Sequence, residues 1–352
     1  MNAGLGLLRF FLAFNVVAFH LWNAAAPGAG PVAVLGFFFV SGFLVTQIVQ
    51  EVYSGPGGAA AFVLNRLLRI VPPYLVALGL GLLAIRAFPA VALHVNNHLR
   101  WPANAAEWWP QVDIVGLNGS DVRVLPAAWT LGTELIFYAV IGLGTARSWR
   151  ASVGLCLVSL PLAAACAWRL LPVPFYGSVP GNGFVFALGA LAYFHRAAWR
   201  IGPALFGFAC VAWAMSLYGI PALEQSDLDT ANLAGSVLPF AVILLFVVQR
   251  ELRGPRWVRL ARVLGGATYP LFLLHWAVSV VVSAWLFQGR ASFDMQGAGA
   301  GAVYFAIVLS LALAVSLVFV QVVDRPIERL RRVVRSRARR AAAGALAGSD
   351  GA

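Results

Sequence analysis

Ten stretches of this chain stay apolar long enough to cross a lipid bilayer, and that property constrains the fold more than any single motif. The hydrocarbon core of a bilayer takes about 20 residues of helix, with roughly 17–25 as the usual range. By that measure the candidate spans are residues 5–22, 31–50, 69–88, 126–145, 151–171, 181–195, 203–220, 231–249, 264–287 and 300–322, the sixth being short. Backbone in lipid must satisfy its own hydrogen bonds, so runs of this length are expected to be helices. Composition agrees: 61% of the 352 residues are hydrophobic, 11% are charged, and the mean hydropathy is +0.82. The expected fold is an all-α integral membrane protein, a polytopic bundle of about ten transmembrane helices. Residues 1–323 form the membrane domain, and 324–352 a basic cytoplasmic tail that ends in disorder.

The formal charge of +12 comes from 25 cations, all of them arginine. With the N-terminus in the cytoplasm, nineteen arginines fall in connections on the cytoplasmic side and five on the other, with Arg9 inside the first span. That asymmetry follows the positive-inside rule. It places both termini in the cytoplasm of a multi-pass protein of the inner (plasma) membrane, and it accounts for the basic balance without nucleic acid. The first apolar segment carries Arg9 and reads as a retained span rather than a signal peptide. Cys156, Cys166 and Cys210 lie in apolar runs without metal-ligand spacing and read as small buried hydrophobes. The longest outer stretch, 89–125, carries Trp101, Trp108 and Trp109, residues suited to a membrane interface. It is the natural place to meet an extracytoplasmic partner. Another outer loop, "PALEQSDLDT", has three acids and no base. No internal repeat or second soluble domain is visible, and nothing sets an oligomeric state.

An ionisable group in the middle of a span costs roughly 2.5–3.5 kcal/mol on insertion scales, so each one needs a partner or a function. Arg9 and His20 stand eleven residues apart in the first span, about three turns and about 16 Å along one helix face. Arg66 and Arg69, in "FVLNRLLRIVPPY", lie three apart at the inner mouth of the third span, ahead of Pro72 and Pro73. Two forked guanidiniums there suit a phosphorylated ligand, although plain topological anchoring explains them as well. Glu134, about nine residues into the fourth span, lies near mid-membrane or in the outer half, close to the depth of His20. A carboxylate beside a neutral imidazole is the arrangement a general base needs. Read without further context, the same pair suits a proton relay in a transporter or a structural hydrogen bond. His275 in the ninth span is a third buried candidate, while His94, His98 and His195 lie in loops or at span ends.

The chain has no nucleophile elbow, no phosphate-binding P-loop, no zinc-protease motif and no dinucleotide fingerprint. Ser41 and Gly42, in "FFFVSGF", read as a small pair for close helix packing.

Taken in order, these stretches resemble the membrane acyltransferase-3 family of carbohydrate O-acyltransferases. The resemblance rests on the Arg9–ten residues–His20 spacing, "FFFVSGF", "NRLLRIVPPY", "WTLGTELIFY" around Glu134, "FVFALGALAY", "LGGATYPLFLLHW" ending near His275, and "VVDRPIERL". It covers nearly the whole chain. It implies an acyl-CoA donor, usually acetyl-CoA, used from the cytoplasm, and a carbohydrate acceptor presented from outside. Carried over, it makes His20 the catalytic base, Glu134 its support or a proton acceptor, and Arg9, Arg66 and Arg69 contacts for the donor, with no metal. Tyr269 and His275 are further candidates. Two departures stand out. Leu135 replaces a second acid that many relatives carry after the glutamate, and Thr268-Tyr269-Pro270 stands where others have Ser-Tyr, which weakens a role for His275. The appended hydrolase-like domain of some relatives is not seen after residue 322. The alternative reading is a polysaccharide or proton-coupled transporter. The expectation most exposed to test is that His20 and Glu134 face each other in one polar cavity reached from both sides of the membrane.

Overall fold

The computed structural model describes residues 2–55, 57–219, 227–295 and 298–349, and all ten expected spans are helical within it. In chain order the helices are α1 (Ala3–Leu21), α2 (Ala29–Val52), α3 (Gly58–Ala87), α4 (Pro89–Val95), α5 (Ala105–Asp113), α6 (Trp129–Leu143), α7 (Trp149–Ala167), α8 (Val179–His195), α9 (Pro203–Ala214), α10 (Asp227–Val248), α11 (Pro255–Leu286), α12 (Ala298–Phe319) and α13 (Arg325–Ser349). No strand occurs among the described residues. The protein is therefore an all-α, multi-pass membrane protein. Among the described residues, seven helical runs are long and apolar enough to cross a membrane. Three expected spans are shorter: α6 has 15 residues, α8 has 17 and α9 has 12. Of the acidic outer loop, residues 221–226 lie outside the described residues.

The helices differ in how deeply they sit. The apolar window of α2 is 72% buried within the protein, that of α7 only 22%, so α2 is the central post and α7 faces outward. Small residues permit the close approaches around that post. A Cβ on Gly42 would lie 2.2 Å from the carbonyl oxygen of Phe186 in α8, and one on Gly189 would lie 2.1 Å from that of Phe39. The Ser-Gly pair was thus read correctly for its glycine.

α1 and α11 pack side by side in the same direction. Gly6 meets Ala261 and Gly265 near their starts, and His20 meets His275 further along. α6 runs the opposite way. Ile114 and Val115 pack on Gly132 at its start, and Phe62 of α3 packs on Gly142 near its end. The start of α3 thus lies with the starts of α1 and α11 at one end of the bundle.

α3 begins eleven residues before the expected span, at Gly58, after Gly57 with φ +70°. Arg66 and Arg69 are therefore two to three turns inside a continuous helix rather than at its mouth. The helix runs through Pro72 and Pro73. Those prolines lack the N–H groups that would bond the carbonyls of Leu68 and Arg69. One residue on, the Tyr269 hydroxyl donates across from α11 to the Ile70 carbonyl at 3.1 Å. The basic segment after residue 324 is helical to Ser349, and α13 packs on α3.

Candidate active site

α1 carries Arg9 and His20 as its sequence implied, but the two residues belong to different polar clusters. His20 does not meet Glu134. Its Nδ1 lies 2.9 Å from Nε2 of His275, with the rings stacked at 9° and their centroids 5.1 Å apart. Trp276 closes one side, 5.0 Å from the His20 ring. The reason is register: the parallel packing of α1 on α11 brings the two imidazoles to one level, whereas α6 delivers its carboxylate to another.

The His275 ring is fully buried, and its Nδ1 lies 3.2 Å from the Leu271 carbonyl one turn back on α11. A carbonyl only accepts, so Nδ1 carries the proton and Nε2 must accept. His20 then donates from Nδ1, which leaves the lone pair on its own Nε2. This chain of three groups fixes the tautomer of His20 without any carboxylate. The Thr-Tyr-Pro departure counted against His275, yet His275 is the direct partner of the first-span histidine.

Glu134 lies in the second turn of α6 and has two hydroxyl donors. Ser41 Oγ donates to Oε1 at 2.6 Å, and the Tyr138 hydroxyl donates to Oε2 at 2.8 Å. Ser41 therefore does more than permit packing, the role its sequence context gave it. Its spacing one residue before Gly42 carried no hint of a partner 93 positions away. Tyr138 was legible in principle, since it stands four residues after Glu134 on the same helix face. Arg9 and Arg66 act on the carboxylate at electrostatic rather than hydrogen-bonding range.

Arg9, Glu134, Thr130, Thr268 and Tyr269 line a cavity of about 60 Å³ whose remaining wall is apolar, including Phe37 and Phe272. His20 is not among its lining residues. Phe272 and His275 are three residues apart on α11, so the imidazole pair stands about 4.5 Å along the axis from this cavity. Phe37 and Phe272, in edge contact at 6.0 Å, belong to the wall on that side. A substrate spanning both clusters has to pass these aromatic side chains.

Arg66 and Arg69 diverge. The Arg66 guanidinium lies over Phe62 and Tyr138 at 5.7 and 5.8 Å, while that of Arg69 lies over Tyr269 at 5.6 Å. Arg66 Nε is buried with no hydrogen-bond partner. A buried donor without an acceptor costs about 1–3 kcal/mol, which fits a place where an anionic ligand completes the set. The remaining histidines are engaged elsewhere: His94 with Asp294 at 2.6 Å, His98 with the Asp121 carbonyl at 2.8 Å, and His195 stacked on Trp199. Among the described residues, no group of three or more His, Cys, Asp or Glu is placed to hold a metal ion.

A helical membrane bundle with an imidazole pair, one ring of it buried, a carboxylate and several arginines is suited to reactions that move protons and bind anions at lipid depth. The family described as an acyltransferase domain matches residues 2–321, and the chain belongs to this acyltransferase-3 family. It is 31% identical over 340 residues to the exopolysaccharide production protein ExoZ of Rhizobium meliloti (strain 1021), covering 91% of this chain and 94% of that protein. It is also 29% identical over 232 residues to nodulation protein 10 of Rhizobium leguminosarum bv. viciae, covering 54% and 59% of the two chains. No solved structure matches it.

Proposed function

We propose that this acyltransferase takes an acetyl or other short acyl group from acyl-CoA on the cytoplasmic side and transfers it to a hydroxyl of an extracytoplasmic carbohydrate or glycolipid. The observation that carries this reading is the hydrogen-bonded chain from the Leu271 carbonyl through His275 to His20, which leaves a basic nitrogen on His20. The name of the ExoZ relative supports a polysaccharide acceptor. The excess of arginine in one set of connections supports cytoplasmic termini in the inner membrane.

In this reading His20 Nε2 takes the proton of the acceptor hydroxyl as its oxygen attacks the thioester carbonyl. A C–O bond forms, the C–S bond breaks, and the CoA thiolate leaves toward the inner end, where it is protonated. His275 positions the ring and shares the positive charge that develops on it, the part that sequence reasoning gave to Glu134. Glu134 instead sets the electrostatics of the inner cavity: it balances Arg9 and Arg66, while Ser41 and Tyr138 hold the carboxylate in place. Arg9, Arg66 and Arg69 face the donor. Tyr269, bonded to α3 and covered by Arg69, ties the donor side to the helix that bears His275.

The test uses membrane vesicles holding the full chain, radiolabelled acetyl-CoA and surface glycan from a deletion strain. Label should move to glycan with the native protein and not with His20→Ala, and mass spectrometry should show the acyl mass restored only by the native protein. Unmodified glycan that crosses the membrane with the thioester intact overturns the reading in favour of a transporter.

A further inference from the structure

By composition, the segment after residue 324 is a basic cytoplasmic tail whose arginines follow the positive-inside rule. Cations that serve only topology are solvated by water and headgroups, and most here are: Arg325, Arg329, Arg332, Arg337, Arg339 and Arg340 are exposed. Two are not. Arg331 is 7% exposed, and Arg335 is half-buried one turn on. With Asp324 and Glu328 they form an inward stripe at i, i+4, i+7 and i+11, one face of a helix.

Arg331 is fixed to α3. Its Nη2 donates to Asn65 Oδ1 at 3.2 Å, and Asn65 Nδ2 returns a bond to the Arg331 carbonyl at 3.3 Å. Asn65 adjoins Arg66, so α13 closes over the stretch of α3 that carries the donor-facing arginines. Glu328 bridges two cations: Arg331 Nη1 lies 2.5 Å from Oε2, and Arg335 pairs with Oε1. Beside this bridge, three buried donors have no partner: Arg331 Nε, Arg66 Nε and the Tyr53 hydroxyl. Tyr53 lies within electrostatic reach of Arg66, Arg331 and Arg335.

Guanidinium nitrogens can only donate, so a cluster of unpaired ones calls for a ligand that only accepts and carries negative charge. We propose that Tyr53, Arg66, Arg331 and Arg335 form a phosphate site under α13, with the Glu328 carboxylate as a resident stand-in that a phosphate displaces. Its occupant is a phosphate group of the acyl-CoA donor, an assignment that rests on the acyl-CoA reading above. Displacing Glu328 exchanges one anion for another on the same two arginines and supplies acceptors to donors that now lack them.

The experiment uses the full chain in phosphatidylcholine nanodiscs, with coenzyme A binding measured by calorimetry and KM measured for acetyl-CoA. Arg331 also holds α13 in place, so the informative variants are at its neighbours. Arg335→Gln should weaken coenzyme A about tenfold, the loss of one charge-assisted hydrogen bond. Exposed Arg337→Gln should change it less than about twofold, as expected of a screened surface charge. Glu328→Gln should tighten binding several-fold, a gain that misfolding cannot produce. Equal affinities for the native chain, Arg335→Gln and Glu328→Gln overturn the phosphate site alone. If Arg335→Gln leaves coenzyme A binding intact but removes thermal stabilisation by phosphatidylglycerol, the site belongs to a lipid headgroup. A native chain that binds no coenzyme A overturns the acyl-CoA reading and the site together.

Discussion

Around Glu134 the polar neighbours are hydroxyl donors and arginines, whereas around His20 they are a second imidazole and an indole. Both regions lie inside the bundle, half-buried at Glu134 and His20, and both draw on α1, yet they solve the cost of burial differently. The carboxylate is held by two short hydrogen bonds, with two arginines at longer range. The imidazole pair is neutral and satisfied by a one-way chain of donors ending on a backbone carbonyl. A group that must gain and lose a proton is better placed in the second setting, because no permanent counter-charge locks it. A group that must fix a local field is better placed in the first.

The comparison breaks most sharply at His20. His20→Ala should lower acyl transfer by about 10²–10⁴-fold, the usual contribution of a general base, while the protein remains in the membrane. Activity within threefold of native in the vesicle assay would remove the proton-handling role from this region. Next in size is Glu134→Gln. It leaves the Ser41 and Tyr138 hydroxyls without an ionisable acceptor and should destabilise the protein by about 2 kcal/mol, the worth of hydrogen bonds to a charged group. Thermal unfolding in detergent measures it, and an unchanged midpoint would mean that the carboxylate does not hold the two hydroxyls.

His275 separates positioning from packing. His275→Asn retains a donor and an acceptor and should keep a substantial part of kcat. His275→Phe fills the space without either and should lose a further tenfold or so, about the worth of one hydrogen bond. Equal kcat for the two variants would make His275 a packing residue. Ser41→Ala is a smaller change. It removes one of two hydroxyl donors to Glu134 and should cost about 1–3 kcal/mol of stability with a modest effect on turnover.

The smallest effect lies outside both regions. Asp294 is held below its ordinary value of 3.8: burial works against the charged form, but hydrogen bonds from His94 and the Ala291 N–H outweigh it. A carboxyl lowered on folding contributes stability above its unfolded value and loses it as pH falls through the lower folded one. The native chain and Asp294→Asn should therefore differ in thermal midpoint at pH 5 and converge as pH falls below about 3.8. A gap that persists at low pH would contradict this sign, and acyl transfer should be the same for both.

The legible part of this protein was set by local rules. Apolar runs read as helices because lipid offers no other partner for the backbone, and each expected span contains one. The separation of Arg9 and His20 along α1 followed from rise per residue, and the family resemblance joined the motifs in order. Helix boundaries were less legible: α3 starts at Gly58, because the expected span was counted from Arg69, past Asn65 and Arg66, although the residues ahead of them are apolar and nothing in them breaks a helix.

The pairing of the buried polar groups was not legible at all. Glu134 and His20 lay at similar depth on the ruler of residue number, but depth says nothing about rotation around a helix axis or about which helices are neighbours. Only the packing of α1 alongside α11, set by Gly6 against Gly265, turned His20 toward His275. Only the antiparallel course of α6 brought Glu134 to Ser41. By itself the sequence determined an all-α membrane bundle with ionisable groups inside its spans, because insertion into lipid is governed residue by residue. The tertiary structure decided which of those groups meet, because hydrogen bonds between helices depend on register and facing, and no count along a single helix supplies either.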